Sequence, residues 1–194
     1  MGTKKVRKLD LKGKDAKSPS TSVSTPSAPS TTLCGHRLME RYDQIVTEYV
    51  NKARVMYGLP IAFIVDLLLT SGCRISEVLA LTKFQQITSQ SFMIRGLKGS
   101  RDRIVYTTYH YSDLVFAGCG SNPLSSVYSR FCVYRACKRL GIYWNDGTNE
   151  HDSVTHAGRH FVAELLLKEG FSVEDVQHFL GHKRITSTEF YAKR

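Results

Sequence analysis

Two arginines, two histidines, a lysine and a tyrosine stand where side chains from different elements can converge on one ligand. Arg74 follows Gly72 at the start of a short helical stretch. Arg159 lies three residues after His156, a step that places both on one helix face. His182 comes directly after the helix-ending Gly181, and Tyr191 follows nine residues later. Lys98 sits near the tip of a hairpin. A guanidinium is planar, permanently charged and able to grip two phosphate oxygens at once, so a pair of them suits a phosphodiester and the extra charge of its transition state. The set points to phosphoryl transfer. Other chemistries lack their motifs: the chain has no Gly-x-x-x-x-Gly-Lys loop, no Gly-x-Gly-x-x-Gly after a strand, no Gly-x-Ser-x-Gly elbow and no His-Glu-x-x-His.

Composition agrees with a polyanionic partner. The 194 residues carry a formal charge of +10 with pI near 9.5, and each phosphate neutralised by Lys or Arg releases condensed counterions. Half of that charge belongs to the first 32 residues, where seven Lys or Arg face two Asp, giving +5. That segment is Lys-rich, then Ser/Thr/Pro-rich, with too few apolar residues to offset the entropy of ordering; it reads as a disordered tail, either a solubilising arm or an extra DNA-binding one. Residues 33–194 are expected to form one domain. The longest apolar run, Ile61 to Leu69, is interrupted by Asp66 and far too short to span a bilayer, and no secretory leader precedes it, so a cytoplasmic protein associated with nucleoid or viral DNA is expected. Five cysteines show no C-x-x-C spacing, which argues for reduced thiols and against a bound metal.

The elements that must position these residues follow from periodicity and punctuation. Apolar residues at three- and four-residue steps from Leu38 to Val50 predict an amphipathic helix. Pro60 opens a second, apolar on nearly every side over 61–70 and therefore central; a third covers 76–81. Residues 91–95 and 103–108 favour strands and flank a Gly/Ser-containing turn with Lys98 near its tip. Helices are predicted over 123–140 and 155–168, then from a capping box at Ser172–Asp175 to Gly181, and from a second box at Thr186–Glu189. The fold class is α+β, mostly helical with one small antiparallel sheet.

Four segments resemble the tyrosine recombinases of the phage integrase family. Ser71-Gly-Cys-Arg-Ile-Ser-Glu-Val-Leu-Ala-Leu81 looks like the family's first-arginine box, and Leu97-Lys-Gly-Ser-Arg-Asp-Arg103 its hairpin-lysine segment. Thr155-His-Ala-Gly-Arg-His160 is similar to its His-x-x-Arg box. Leu180-Gly-His-Lys-Arg-Ile-Thr-Ser-Thr-Glu-Phe-Tyr191 is similar to its closing box, including the nine-residue step. The resemblance implies the catalytic core shared with type IB topoisomerases. It implies that Tyr191 attacks the scissile phosphate to give a 3′-phosphotyrosine bond while Arg74 and Arg159 hold the non-bridging oxygens. Lys98 would protonate the leaving 5′-oxygen, His156 would assist proton transfer at Tyr191, His182 would hydrogen-bond the phosphate, and Glu77 would steady the site. No cofactor or metal is implied, because the link itself stores the bond energy and the arginines do the electrostatic work. The implied partners are double-stranded DNA, further copies of the chain in a tetrameric synapse and, with them, accessory DNA-bending proteins; a mobile-element setting fits.

Some readings stay open. Lys98 also fits a solvated cation at a hairpin tip, Arg101 and Arg103 touch either the DNA backbone or only water, and nothing in the sequence separates His160 from an ordinary helix residue. Gly158 stands where the family usually has leucine, which predicts a looser helix start. Only about forty residues, 33–72, precede the first-arginine box, an arrangement similar to the short phase-variation invertases, and the chain ends three residues after Tyr191, before the docking helix of many relatives. A DNA-binding regulator or decoy derived from a recombinase, and a topoisomerase-like nicking and closing enzyme, are the other functions the sequence fits.

Overall fold

The computed structural model describes residues 32–143, 154 and 156–192, with side chains from residue 39 onward. The expected tail, apart from Thr32, and the Asn/Asp/Gly-rich stretch near 144–153 lie outside the described residues. The elements in chain order are α1 (Thr32–Tyr57), α2 (Leu59–Ser71), α3 (Ile75–Leu79), β1 (Ser91–Ile94), β2 (Arg103–Tyr106), α4 (Arg130–Leu140), α5 (Ala157–Lys168), α6 (Val173–Leu180) and α7 (Thr186–Ala192). The strands pair antiparallel, Ser91 opposite Tyr106 and Ile94 opposite Arg103. The architecture is thus mostly helical with a two-stranded sheet. No helix among the described residues is long and apolar enough to cross a membrane.

α2 is the hub, as its sequence requires. Ile61 through Leu69 are all buried, and the helix packs against α1, α3, α4, α5 and β2. α1 lays Tyr42, Val46, Val50 and Ala53 against it, and the Tyr42 hydroxyl donates to the Leu69 carbonyl at 2.6 Å. Phe63 joins α2 to the sheet side, its ring 4.9 Å from Phe92 and 5.0 Å from Tyr111.

Asp66, the one charge in this apolar helix, is fully buried and accepts hydrogen bonds from the Thr108 and Tyr109 amides at 3.0 and 3.2 Å and from the Tyr111 hydroxyl at 2.9 Å. A buried carboxylate is tolerable only when its oxygens are satisfied in this way. Burial nonetheless pushes its pKa up against the opposing pull of these bonds. Through Asp66, α2 fixes the segment that leaves β2.

Two elements differ from expectation. The helix predicted over 123–140 is split: a 3-10 turn covers Leu124–Ser126, and α4 begins only after Ser129, whose hydroxyl accepts the Cys132 amide at 3.1 Å and so caps the helix there. Thr186, expected as a cap, is the first residue of α7 itself.

Gly158 also reverses its expected effect. A Cβ at this position would lie 2.1 Å from the Leu68 carbonyl oxygen and 2.7 Å from the Leu68 carbonyl carbon. The missing side chain lets α5 seat directly on the backbone of α2, tightening the helix start. Gly158→Ala is expected to lower stability by about 2–3 kcal/mol, the usual effect of overpacking against unyielding backbone; urea denaturation measures this, and wild-type stability in the variant would contradict the close α2–α5 approach.

Candidate active site

The first half of the site is assembled around Glu77. Its carboxylate caps α3 by accepting the Arg74 backbone N–H at 2.9 Å, and it pairs with the Arg74 guanidinium at 3.3 Å and with Arg103 at 3.0 Å. Glu77 is 1% exposed; burial alone would raise its pKa, but Arg103, Ser100 and the Arg74 amide outweigh that and hold it below the usual carboxylate range. The Arg74 guanidinium also donates to the Ser100 hydroxyl, which ties the first-arginine box to the hairpin turn. Arg74 keeps part of its surface open to solvent.

Arg103, for which the sequence left DNA backbone and water open, faces neither and is turned inward. Its side chain is 9% exposed and donates to Glu77 and, at 3.2 Å, to the Cys73 sulfur. The buried carboxylate draws it in, since Glu77 needs a second cation to be stable there. Arg101 is exposed, and its amide donates to the Gly181 carbonyl at 2.7 Å.

The second half is built on Arg159, which is 3% exposed. Its Nη1 donates to the Gly72 carbonyl at 3.0 Å, its Nη2 to the Leu180 carbonyl at 2.7 Å, and its Nε to Nε2 of His182 at 3.1 Å. Desolvation and the nearby charge of Arg74 bring its pKa down to about 10, which still leaves it cationic at neutral pH. Because Nε2 of His182 accepts, the neutral ring carries its proton on Nδ1, which faces the Thr188 hydroxyl at 2.8 Å. Desolvation, then Arg159, Arg74 and Arg103, depress the His182 pKa to about 3. The αL turn at Gly181 (φ 68°) makes this possible by swinging His182 back under the helix end.

Tyr191 stacks on His182, rings parallel within 4° and centroids 6.4 Å apart. A second histidine holds it from another side: the His160 ring meets Tyr191 edge-on at 5.4 Å. The hairpin and the His182 loop are joined by a bridge between Ser100 and His182, with the Lys183 amide donating to Gly99 at 3.2 Å. The exposed Lys98, Arg101, Lys183 and Arg184 therefore share one rim. Lys98 adopts φ +50° and has no ion pair or hydrogen bond among the described residues. His156 occupies the N-cap of α5, exposed, with its pKa lowered by partial desolvation and by Arg159, Arg74 and Arg130.

The structure thus brings Arg159, His182 and Tyr191 into contact and sets Arg74, with Glu77, within electrostatic range of Arg159 and His156; Lys98 stays on the rim. Sequence reasoning missed Ser100, Thr188, Lys183 and Arg184, and set His160 aside. For Thr188 and His160, position was the available signal: one is three residues before Tyr191, the other adjoins Arg159.

Both His182 and His156 have folded pKa values below the ordinary histidine value of 6.5. Protonation therefore favours the unfolded chain, and stability contributed above pH 6.5 is lost as pH falls toward 3. Between pH 6.5 and 5, unfolding free energy is expected to drop by up to about 1 kcal/mol per pH unit from His182. Denaturant titrations at several pH values should show a flatter slope in His182→Gln, and an unchanged slope would contradict the buried neutral ring.

Residues 106–194 match the model of the phage integrase family. The chain is 30% identical over 144 residues to the tyrosine recombinase XerA of Thermococcus kodakarensis, covering 67% of this chain and 49% of that protein. The chain spans about half the length of the curated relatives it matches. Among solved structures, the catalytic domain of bacteriophage HP1 integrase aligns with TM-score 0.50 and 22% identity over 76% of this chain and 83% of that one. The recombinase XerH bound to its difH substrate aligns with TM-score 0.52 and 20% identity over 78% and 48%. Fold, sequence boxes and family match agree: the chain belongs to the phage integrase family of tyrosine recombinases and has the fold of their catalytic domain.

Proposed function

We propose that residues 33–194 are the catalytic unit of a site-specific recombinase that breaks and rejoins DNA through a 3′-phosphotyrosine bond to Tyr191. The observation that carries this reading is the contact series Tyr191–His182–Arg159, in which a phenol is stacked on an imidazole that is itself bonded to a buried guanidinium. Attack by the Tyr191 oxygen forms the P–O bond and breaks the bond to the 5′-oxygen. The phenolic proton passes to His156, and Lys98 protonates the departing oxygen, a task suited to a mobile, solvent-exposed ammonium. Of the five N–H donors on a guanidinium, Arg159 uses three on described residues, and the two that remain suit the non-bridging oxygens beside Arg74. His182, as an Nε2 acceptor, orients Arg159 rather than donating to the phosphate directly.

The substrate is double-stranded DNA. Lys98, Arg101, Lys183 and Arg184 on one rim supply sequence-independent backbone contacts, and strand exchange takes place in a synapse of several copies. Accessory DNA-bending proteins would act on the DNA outside this unit.

Incubation with a duplex library of randomised core, followed by denaturing electrophoresis, is expected to trap a covalent adduct that Tyr191→Phe abolishes. Specific binding without an adduct on any selected duplex would leave a DNA-binding regulator instead, and relaxation of supercoiled plasmid lacking the selected sequence would indicate a topoisomerase-like enzyme. Lys98→Ala is expected to slow adduct formation by about 100-fold and to regain most of the rate when sulfur replaces the 5′-bridging oxygen. Equal slowing on both substrates removes Lys98 from the acid role.

A further inference from the structure

α7 has seven residues, too few to be stable as a helix without tertiary support. It nevertheless carries the tyrosine. Its one buried side chain is Thr188, 0% exposed, while Thr186, Ser187, Phe190 and Ala192 are exposed and Glu189 and Tyr191 are partly covered. Thr188 is a polar residue in that buried position, and its hydroxyl lies 2.8 Å from Nδ1 of His182. Tyr191 stands three residues further along the same helix face, stacked on the same imidazole.

We infer that Thr188 is a positioning residue: its hydroxyl accepts the Nδ1–H of His182 and so latches α7 to the Arg159–His182 pair, setting the place from which Tyr191 meets the phosphate. The single bond has two effects. It satisfies the Nδ1–H that remains once Nε2 has accepted the Arg159 Nε–H, and it clamps a marginal helix one turn before its functional residue. Thr188 does not touch the reacting atoms; it acts through His182 and through the backbone of α7. The catalytic part of this inference rests on Tyr191 being the nucleophile, whereas the latch itself is a property of the folded chain.

The test compares Thr188→Val, which keeps the shape and removes the acceptor, with Thr188→Ser, which keeps the hydroxyl. In Thr188→Val the α7 amides are expected to exchange with deuterium about 10-fold faster than in the wild type, consistent with the loss of one buried hydrogen bond. Proton NMR should show the His182 Nδ1–H, deprived of its acceptor, shifted upfield and exchanging faster with solvent in the same variant. On a duplex selected from the randomised library, adduct formation is expected to slow by about 100-fold with DNA affinity by gel shift unchanged, since misplacement of a reacting group affects the chemical step and not binding. Thr188→Ser should restore amide exchange, the Nδ1–H resonance and rate. Wild-type exchange in Thr188→Val, or a Ser variant no better than Val, overturns the latch. A wild-type chain that forms no adduct on any duplex would overturn the proposed function, and the exchange and NMR measurements would still decide whether Thr188 holds α7.

Discussion

A cation shut away from water must have every available partner arranged around it, and Arg159 is that constraint in this chain. Its guanidinium binds the carbonyl that ends α2, the carbonyl that ends α6 and the ring of His182. An unpaired buried charge would be severely destabilising, so these segments are fixed relative to one another as a condition of folding. The same bonds that make burial tolerable also set the geometry of the site. Stability and the geometry of the candidate site therefore draw on one group of contacts.

Around that centre the charges are arranged in two linked layers. Glu77 is the buried anion, held ionised by Arg103 and Arg74, and it keeps positive charge concentrated without letting it repel the fold apart. Arg74 reaches onward to Ser100 and so carries the hairpin, and the rim cations on it, to the edge of the site. Desolvation, and after it the excess of positive charge, drives both nearby histidines toward the neutral form. A neutral imidazole can accept a hydrogen bond or a proton, which an imidazolium cannot.

Much of the site was readable as candidates, because the residues that could do phosphate chemistry stand beside glycines and helix ends, and those punctuate the chain locally. Gly72 and Gly181 mark the helix ends whose carbonyl environment Arg159 ties together, and Ser172–Asp175 announces α6 by its own side-chain bonds. Other features left no local mark. Arg101 and Arg103 are alike in sequence, yet one faces solvent and the other a buried carboxylate 26 residues earlier. Gly158 read as a lost packing contact until the backbone of α2 was found against it.

What the sequence determined alone is the local part: most of the helix ends, which helix is buried on all sides, which pair of segments forms the hairpin, and which cations and tyrosine are candidates for a phosphate-handling set. Helix caps, left-handed glycines and hydrophobic periodicity act within a few residues, so they are written in the order of the chain. Tertiary structure alone decided which arginine turns inward, which hydroxyl meets His182, and that His160 packs on Tyr191. Those outcomes depend on the desolvation of charges and the meeting of side chains from distant segments. Neither is settled until the helices have packed and water has been excluded.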